Sequence, residues 1–119
     1  MCIRDRDIFV QAWYQGGISI IDFTDSSNPY EIAYFDRGPI FEDILITGGY
    51  WSSYYYDGYI YGTEITRGLD VFKLTPSEYL SKEEISRAAN AYPALGPNTF
   101  NPQQQIPMVW PEDNKDTSL

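Results

Sequence analysis

Apolar and polar positions along the chain fall into short alternating runs separated by turn-forming residues. Ile8–Tyr14 is rich in β-branched and aromatic side chains, which predicts a strand. Gly16-Gly17 supplies a turn, and Ile18–Phe23 reads as the return strand. Thr24-Asp25-Ser26-Ser27-Asn28-Pro29 is made of turn formers, with Asp25 and Asn28 expected to bond their own backbone. Tyr30–Phe35 then reads as a third strand, and 36–50 as a long loop; Tyr50 at its end and Trp51 just after it both read as loop residues. Ser53–Tyr56 leads into Asp57-Gly58, a strong hairpin signal because a type I′ turn needs positive φ at both centres. Further on, Thr75-Pro76-Ser77-Glu78 and Ser81-Lys82-Glu83-Glu84 have capping-box form. They predict a short helix over 76–80 and a longer one over 82–91, with Ile85, Ala88, Ala89 and Tyr92 as its apolar face. The tail from Pro93 is rich in Pro, Asn and Gln and reads as irregular. Ile106–Trp110 is an apolar island in it, and 112–119 is open to disorder.

Two of these runs repeat. Asp7–Thr24 and Gly58–Thr75 superpose without a gap at an offset of 51 residues. Gly17 falls on Gly68, while Ile18, Ile20, Ile21 and Phe23 fall on Leu69, Val71, Phe72 and Leu74. Ile20-Ile21 and Val71-Phe72 are adjacent apolar pairs, and neighbours on a strand point to opposite faces. Both faces of each sheet are therefore expected to be buried. Antiparallel units of about four strands at roughly 40–50 residues are the period of β-propeller blades.

The run Gly17-Ile18-Ser19-Ile20-Ile21-Asp22-Phe23-Thr24-Asp25, followed by Asn28-Pro29-Tyr30-Glu31-Ile32, resembles the LVIVD repeat. Asp57-Gly58-Tyr59-Ile60-Tyr61 and Gly68-Leu69-Asp70-Val71-Phe72 resemble the last repeat of long secreted bacterial members of that family. The resemblance spans about Asp7 to Ala91, with Val109-Trp110-Pro111 near the end. The second copy departs from the pattern, with Lys73 where the first has Asp22 and Pro76-Ser77 where Asp25-Ser26 would stand. The resemblance implies an all-β fold: an incomplete β-propeller of about two antiparallel blades, 7–35 and 51–75, with a C-terminal helical cap over 76–92 and an irregular tail over 93–119. It also implies a secreted or cell-surface protein whose other blades lie upstream, and it carries no catalytic residues across. The last unit lacks a fourth strand, which ring closure by an N-terminal strand would supply. Met1–Arg6 reads as translated sequencing adaptor, to be set aside in reasoning about the fold, with a native start as the rival.

Composition narrows the function classes. Eight Lys and Arg against 17 Asp and Glu give a net charge of −9, which disfavours nucleic acid and anionic lipid as partners. No stretch reaches the ~20 apolar residues of a transmembrane helix. The 119 residues contain no histidine, so Ser-His-Asp and Cys-His chemistry and His-ligated metals are excluded from this stretch. Cys2, the one cysteine, lies in the suspect hexapeptide and says nothing about redox compartment. No Gly-rich phosphate loop or EF-hand spacing is present. No cofactor is called for.

Candidate chemistry comes from aromatics and carboxylates. Tyr supplies 11 residues, many clustered at Tyr50, Tyr54, Tyr55, Tyr56, Tyr59 and Tyr61 around Trp51. These either pack sheet on sheet or stack on a ligand, and Tyr50 and Trp51 are the better ligand candidates because they read as loop. Glu42-Asp43, Asp22/Asp25 and Glu64/Asp70 are readable as acid–base pairs or Ca²⁺ ligands. Glu64 and Arg67 flank a hairpin, where they either meet a ligand or pair with each other. The candidate ligand residues are thus Tyr50, Trp51, Glu64 and Arg67. The expected role is a non-catalytic scaffold or binding module for a surface protein or glycan. The alternative is an enzyme with a metal or carboxylate site in the central channel of a complete propeller.

Overall fold

The computed structural model describes residues 2–3, 5–94 and 108–111. Two antiparallel sheets and one helix account for most of them. Sheet 1 has the order β1-β2-β3-β4, from β1 (Cys2–Ile3), β2 (Arg6–Ala12), β3 (Ile18–Asp22) and β4 (Tyr30–Phe35). Sheet 2 has the order β5-β6-β7, from β5 (Tyr50–Tyr56), β6 (Tyr59–Glu64) and β7 (Gly68–Phe72). After helix α1 (Lys82–Asn90), β8 (Tyr92–Pro93) pairs with β9 (Met108–Val109). Of the hexapeptide Met1–Arg6 read as adaptor, Met1 and Arg4 lie outside the described residues, as do 95–107 and 112–119, while Cys2 and Ile3 form β1 and Arg6 opens β2.

The 51-residue repeat is visible in the strand register. Phe9↔Ile21, Val10↔Ile20, Gln11↔Ser19 and Ala12↔Ile18 in sheet 1 map onto Ile60↔Phe72, Tyr61↔Val71, Gly62↔Asp70 and Thr63↔Leu69 in sheet 2. The hairpin glycines agree as well, with Gly17 at φ 89° and Gly68 at φ 93°. At Gly17 a Cβ atom would sit 1.9 Å from the Phe35 carbonyl oxygen, so the turn accepts no larger residue.

The sheets pack face to face. Ile8, Ile18, Ile20 and Ile32 of sheet 1 share a buried cluster with Tyr50 and Ile60 of sheet 2. Burying side chains of this size contributes roughly 1.5–3 kcal/mol each. Gly62 allows the closest approach: a Cβ there would meet Ile18 Cδ1 at 2.7 Å and the Tyr50 ring at 2.9 Å. At one end the backbones join, Tyr14 N–H donating to Tyr50 O at 3.1 Å and Tyr50 N–H to Tyr14 O at 2.8 Å.

Three expectations are corrected. Tyr50 and Trp51 open strand β5 rather than closing a loop, because the bridge to Tyr14 and pairing with Glu64 extend the ladder to them. The helix over 76–80 does not form. Ser77 and Leu80 exchange backbone hydrogen bonds at 2.9 and 3.4 Å, and this tight turn inserts Leu80 into the core. Each sheet buries one face, not two: Ile20 is buried while Ile21 is half-buried, and Phe72 is half-buried while Val71 is exposed. Helix α1 carries the expected capping box, with Ser81 and Glu84 bonding each other's backbone N–H at 3.1 Å.

Candidate functional site

The predicted ligand residues gather where β5, β6 and the β6–β7 turn meet. Tyr50 pairs with Glu64 across the β5–β6 ladder, and Arg67 follows in the turn. The Tyr50 ring is buried, edge-on to Phe35 at 6.2 Å and to Phe72 at 6.0 Å, with Phe35 and Phe72 themselves 4.5 Å apart. Its hydroxyl emerges at the rim and donates to Asp70 Oδ2 at 2.7 Å, and Arg37 Nη2 donates to the same oxygen at 3.1 Å. Burial first, then the Asp70 carboxylate, raises the Tyr50 hydroxyl pKa well above its ordinary value. The Tyr50 hydroxyl and Arg37 lower that of Asp70.

Glu64 is 4% exposed. Burial alone would raise its pKa. Backbone N–H groups of Thr66 (3.3 Å) and Gly49 (2.7 Å) and the Thr66 hydroxyl (3.1 Å) outweigh that and keep it lowered. Arg67 Nε is 4.0 Å from Glu64 Oε2, at the outer limit of an ion pair. The Glu64 carboxylate therefore serves the β6–β7 turn. A Glu-x-Thr step, Glu64-Ile65-Thr66, was the sequence signal for this role.

Trp51 differs from the other three. It is 68% exposed and stands edge-on to the Tyr14 ring at 5.9 Å, with Trp13 also exposed in the neighbouring turn. This leaves a neutral aromatic surface at the end of the sheet pair, beside the loop over 36–49. Gln15 anchors that loop by donating to Ile46 O at 2.6 Å and accepting from Ile40 N–H at 3.0 Å. Phe41, Ile44 and Leu45 of the loop are exposed as well, and sequence reasoning had not singled them out.

A second polar cluster lies at the opposite end of β3. Asp22 accepts from Thr24 N–H (2.9 Å), the Thr24 hydroxyl (2.6 Å) and Arg6 Nε (2.8 Å). Arg6 also donates to Glu84 of α1 at 2.8 Å and to the Tyr79 carbonyl at 3.0 Å. Burial pushes the Asp22 carboxyl up, but the Thr24 and Arg6 bonds prevail and hold it at about 2. Asp25 accepts from Ser27 N–H at 3.0 Å, closing the predicted turn. Among the described residues, no group of three or more Cys, Asp or Glu is placed to hold a metal ion, and no helix is long and apolar enough to cross a membrane.

Compared with family models, curated proteins and solved structures, the chain has no significant match.

Proposed function

We propose that this chain is a section of an LVIVD-type β-propeller, about two blades and a helical cap, from a secreted or cell-surface protein. Its role in this reading is non-catalytic, a scaffold or binding module for a protein or glycan. One observation carries the propeller reading. The two sheets share a register at an offset of 51, yet each buries its even-numbered positions, Ile8, Ile18 and Ile20 in one and Ile60, Gly62 and Phe72 in the other. An odd offset carries each buried position onto the opposite face of its partner sheet. Successive units of one radial array meet in this way, front of one on back of the next.

The binding reading is supported by Trp51 and Tyr14, whose open rings suit the apolar face of a sugar or a protein side chain. Titration with β-linked glucose and N-acetylglucosamine oligomers, followed by tryptophan fluorescence, tests it. The expected result is a saturable change that weakens at least about tenfold in Trp51→Ala. A flat titration removes the glycan and leaves a protein ligand. Turnover of the same oligomers overturns the non-catalytic reading.

A further inference from the structure

Each sheet leaves one apolar face open. On sheet 1 this outer face carries Phe9, Ile21 and Tyr34, with Tyr34 73% exposed. On sheet 2 it carries Tyr59, Leu69 and Val71, with Leu69 60% and Val71 52% exposed. Contiguous apolar surface of this kind marks an interaction site more often than chance.

The repeat identifies the partner that fits. Leu69 and Val71 occupy the positions that Ile18 and Ile20 hold on the inner face of sheet 1. Ile21 and Phe9 occupy the positions that Phe72 and Ile60 hold on the inner face of sheet 2. Over β2–β3 and β6–β7, the outer face of sheet 2 thus corresponds in position to the inner face of sheet 1, and the outer face of sheet 1 to the inner face of sheet 2. The chain already buries one such pair of faces internally, and it displays the complementary pair at its two sides.

We propose that a second copy of this chain docks head to tail, its sheet 1 outer face on the sheet 2 outer face of the first. The proposal rests on the reading of the two sheets as successive units of one array, and it concerns the 119-residue chain, in which the second copy takes the place that neighbouring blades hold in a longer propeller. The contact is heterologous, so every docked copy still shows one free face of each kind, and growth ends in a ring only where the rotation closes. Charge favours this arrangement over like on like. The sheet 1 outer face carries Asp7 and Glu31, the latter bonded to Ser19 on the same face. On sheet 2, Lys73 follows Val71 in the same alternation, and the acidic residues of its strands, Glu64 and Asp70, lie on the inner face with Ile60 and Gly62. Gln11 stands where Gly62 brings the inner faces closest, which sets the second interface wider.

Sedimentation velocity on the chain, on Ile21→Lys, on Val71→Lys and on their equimolar mixture tests this. Head-to-tail docking predicts self-association of the unaltered chain across micromolar concentrations and at least about tenfold weaker association of each variant alone. It also predicts a discrete heterodimer in the mixture, because the intact sheet 2 face of one variant meets the intact sheet 1 face of the other. Tyr34→Lys and Leu69→Lys, at more exposed positions of the same faces, replace either variant that fails to fold. A monomeric unaltered chain overturns the proposal. So does either variant associating alone as strongly as the parent, the result of like-face or strand-edge pairing. A nuclear Overhauser contact between the Ile18 methyl and the Tyr50 ring, measured on the same samples, separates the two levels. If it persists, only the docking falls; if it is missing, the two-unit reading beneath it falls too.

Discussion

Sheets 1 and 2 each bring a carboxylate into the interior and stabilise it by different means. Asp22, 3% exposed, lies at the end of β3, and Glu64 lies at the end of β6. Both accept from the backbone N–H and hydroxyl of a threonine two residues on, Thr24 and Thr66. They part company in their other partners. Asp22 depends on the guanidinium of Arg6, the first residue of the paired strand β2, which is shared with Glu84. Glu64 takes a backbone N–H from Gly49, with Arg67 a distant 4.0 Å away. A buried charge needs either a counter-charge or several hydrogen bonds, and the first solution is fragile because losing one partner strands the other. The second needs no counter-charge but depends on the backbone path at Gly49.

Breaking that path should have the largest effect. Gly49 has φ 85°, and a Cβ there would lie 2.0 Å from the Tyr14 carbonyl carbon and 2.2 Å from Gln15 N. Gly49→Ala is expected to cost about 4 kcal/mol or more, since these neighbours are backbone and cannot swing away. Urea unfolding measures it; a loss below about 1 kcal/mol would show that the joint between the sheets yields. Arg6→Ala comes next, at about 3 kcal/mol, because Asp22 keeps its charge without its cation. Acid titration sharpens this prediction. In the fold Asp22 takes up its proton near 2, against 3.8 for the ordinary group. Its contribution is therefore complete above pH ~4 and fades as pH falls towards 2, amounting to about 2 kcal/mol. Arg6→Ala should shrink that acid-dependent part, visible as a flatter plot of urea midpoint against pH. At the small end, Glu64→Gln should cost about 1–2 kcal/mol through weaker hydrogen bonds. Arg67→Ala should cost under about 0.5 kcal/mol, the range of an exposed pair. A larger loss for Arg67 would erase the distinction drawn between the two carboxylates.

The strands were legible where alternation and turn chemistry coincided. Ile18–Phe23, Tyr30–Phe35 and the Asp57-Gly58 hairpin all fall where the structure has them, and Ser81/Glu84 marks the start of α1. What escaped depends on distant partners. Nothing local in Tyr50-Trp51 announces that Tyr14 will pair there and turn a loop into a strand. The capping-box form at 75–78 is overridden because Leu80 gains more by entering the core than a short helix would return. Of the candidate site, Trp51 was recognisable as an exposed aromatic, but the same reasoning placed Tyr50 beside it, and Tyr50 went inside with Phe35 and Phe72. Burial of one face in each sheet was not predicted, since sequence shows that both faces are apolar without showing what covers them.

The helix also bears on the order of folding. Arg6 reaches Glu84 across 78 residues of chain, and Ala89 lies beside the Gly58 turn of sheet 2. The first contact needs sheet 1 and α1, the second sheet 2 and α1, and long-range closure of this kind is slow. During synthesis, sheet 1 emerges long before α1, with Asp22 still lacking the environment that fixes Arg6 against it. The interval ends when α1 arrives and holds residues from both sheets at once. α1, which leaves the ribosome after both sheets, thus acts as a kinetic latch. Its docking should appear as the final, slowest step of refolding.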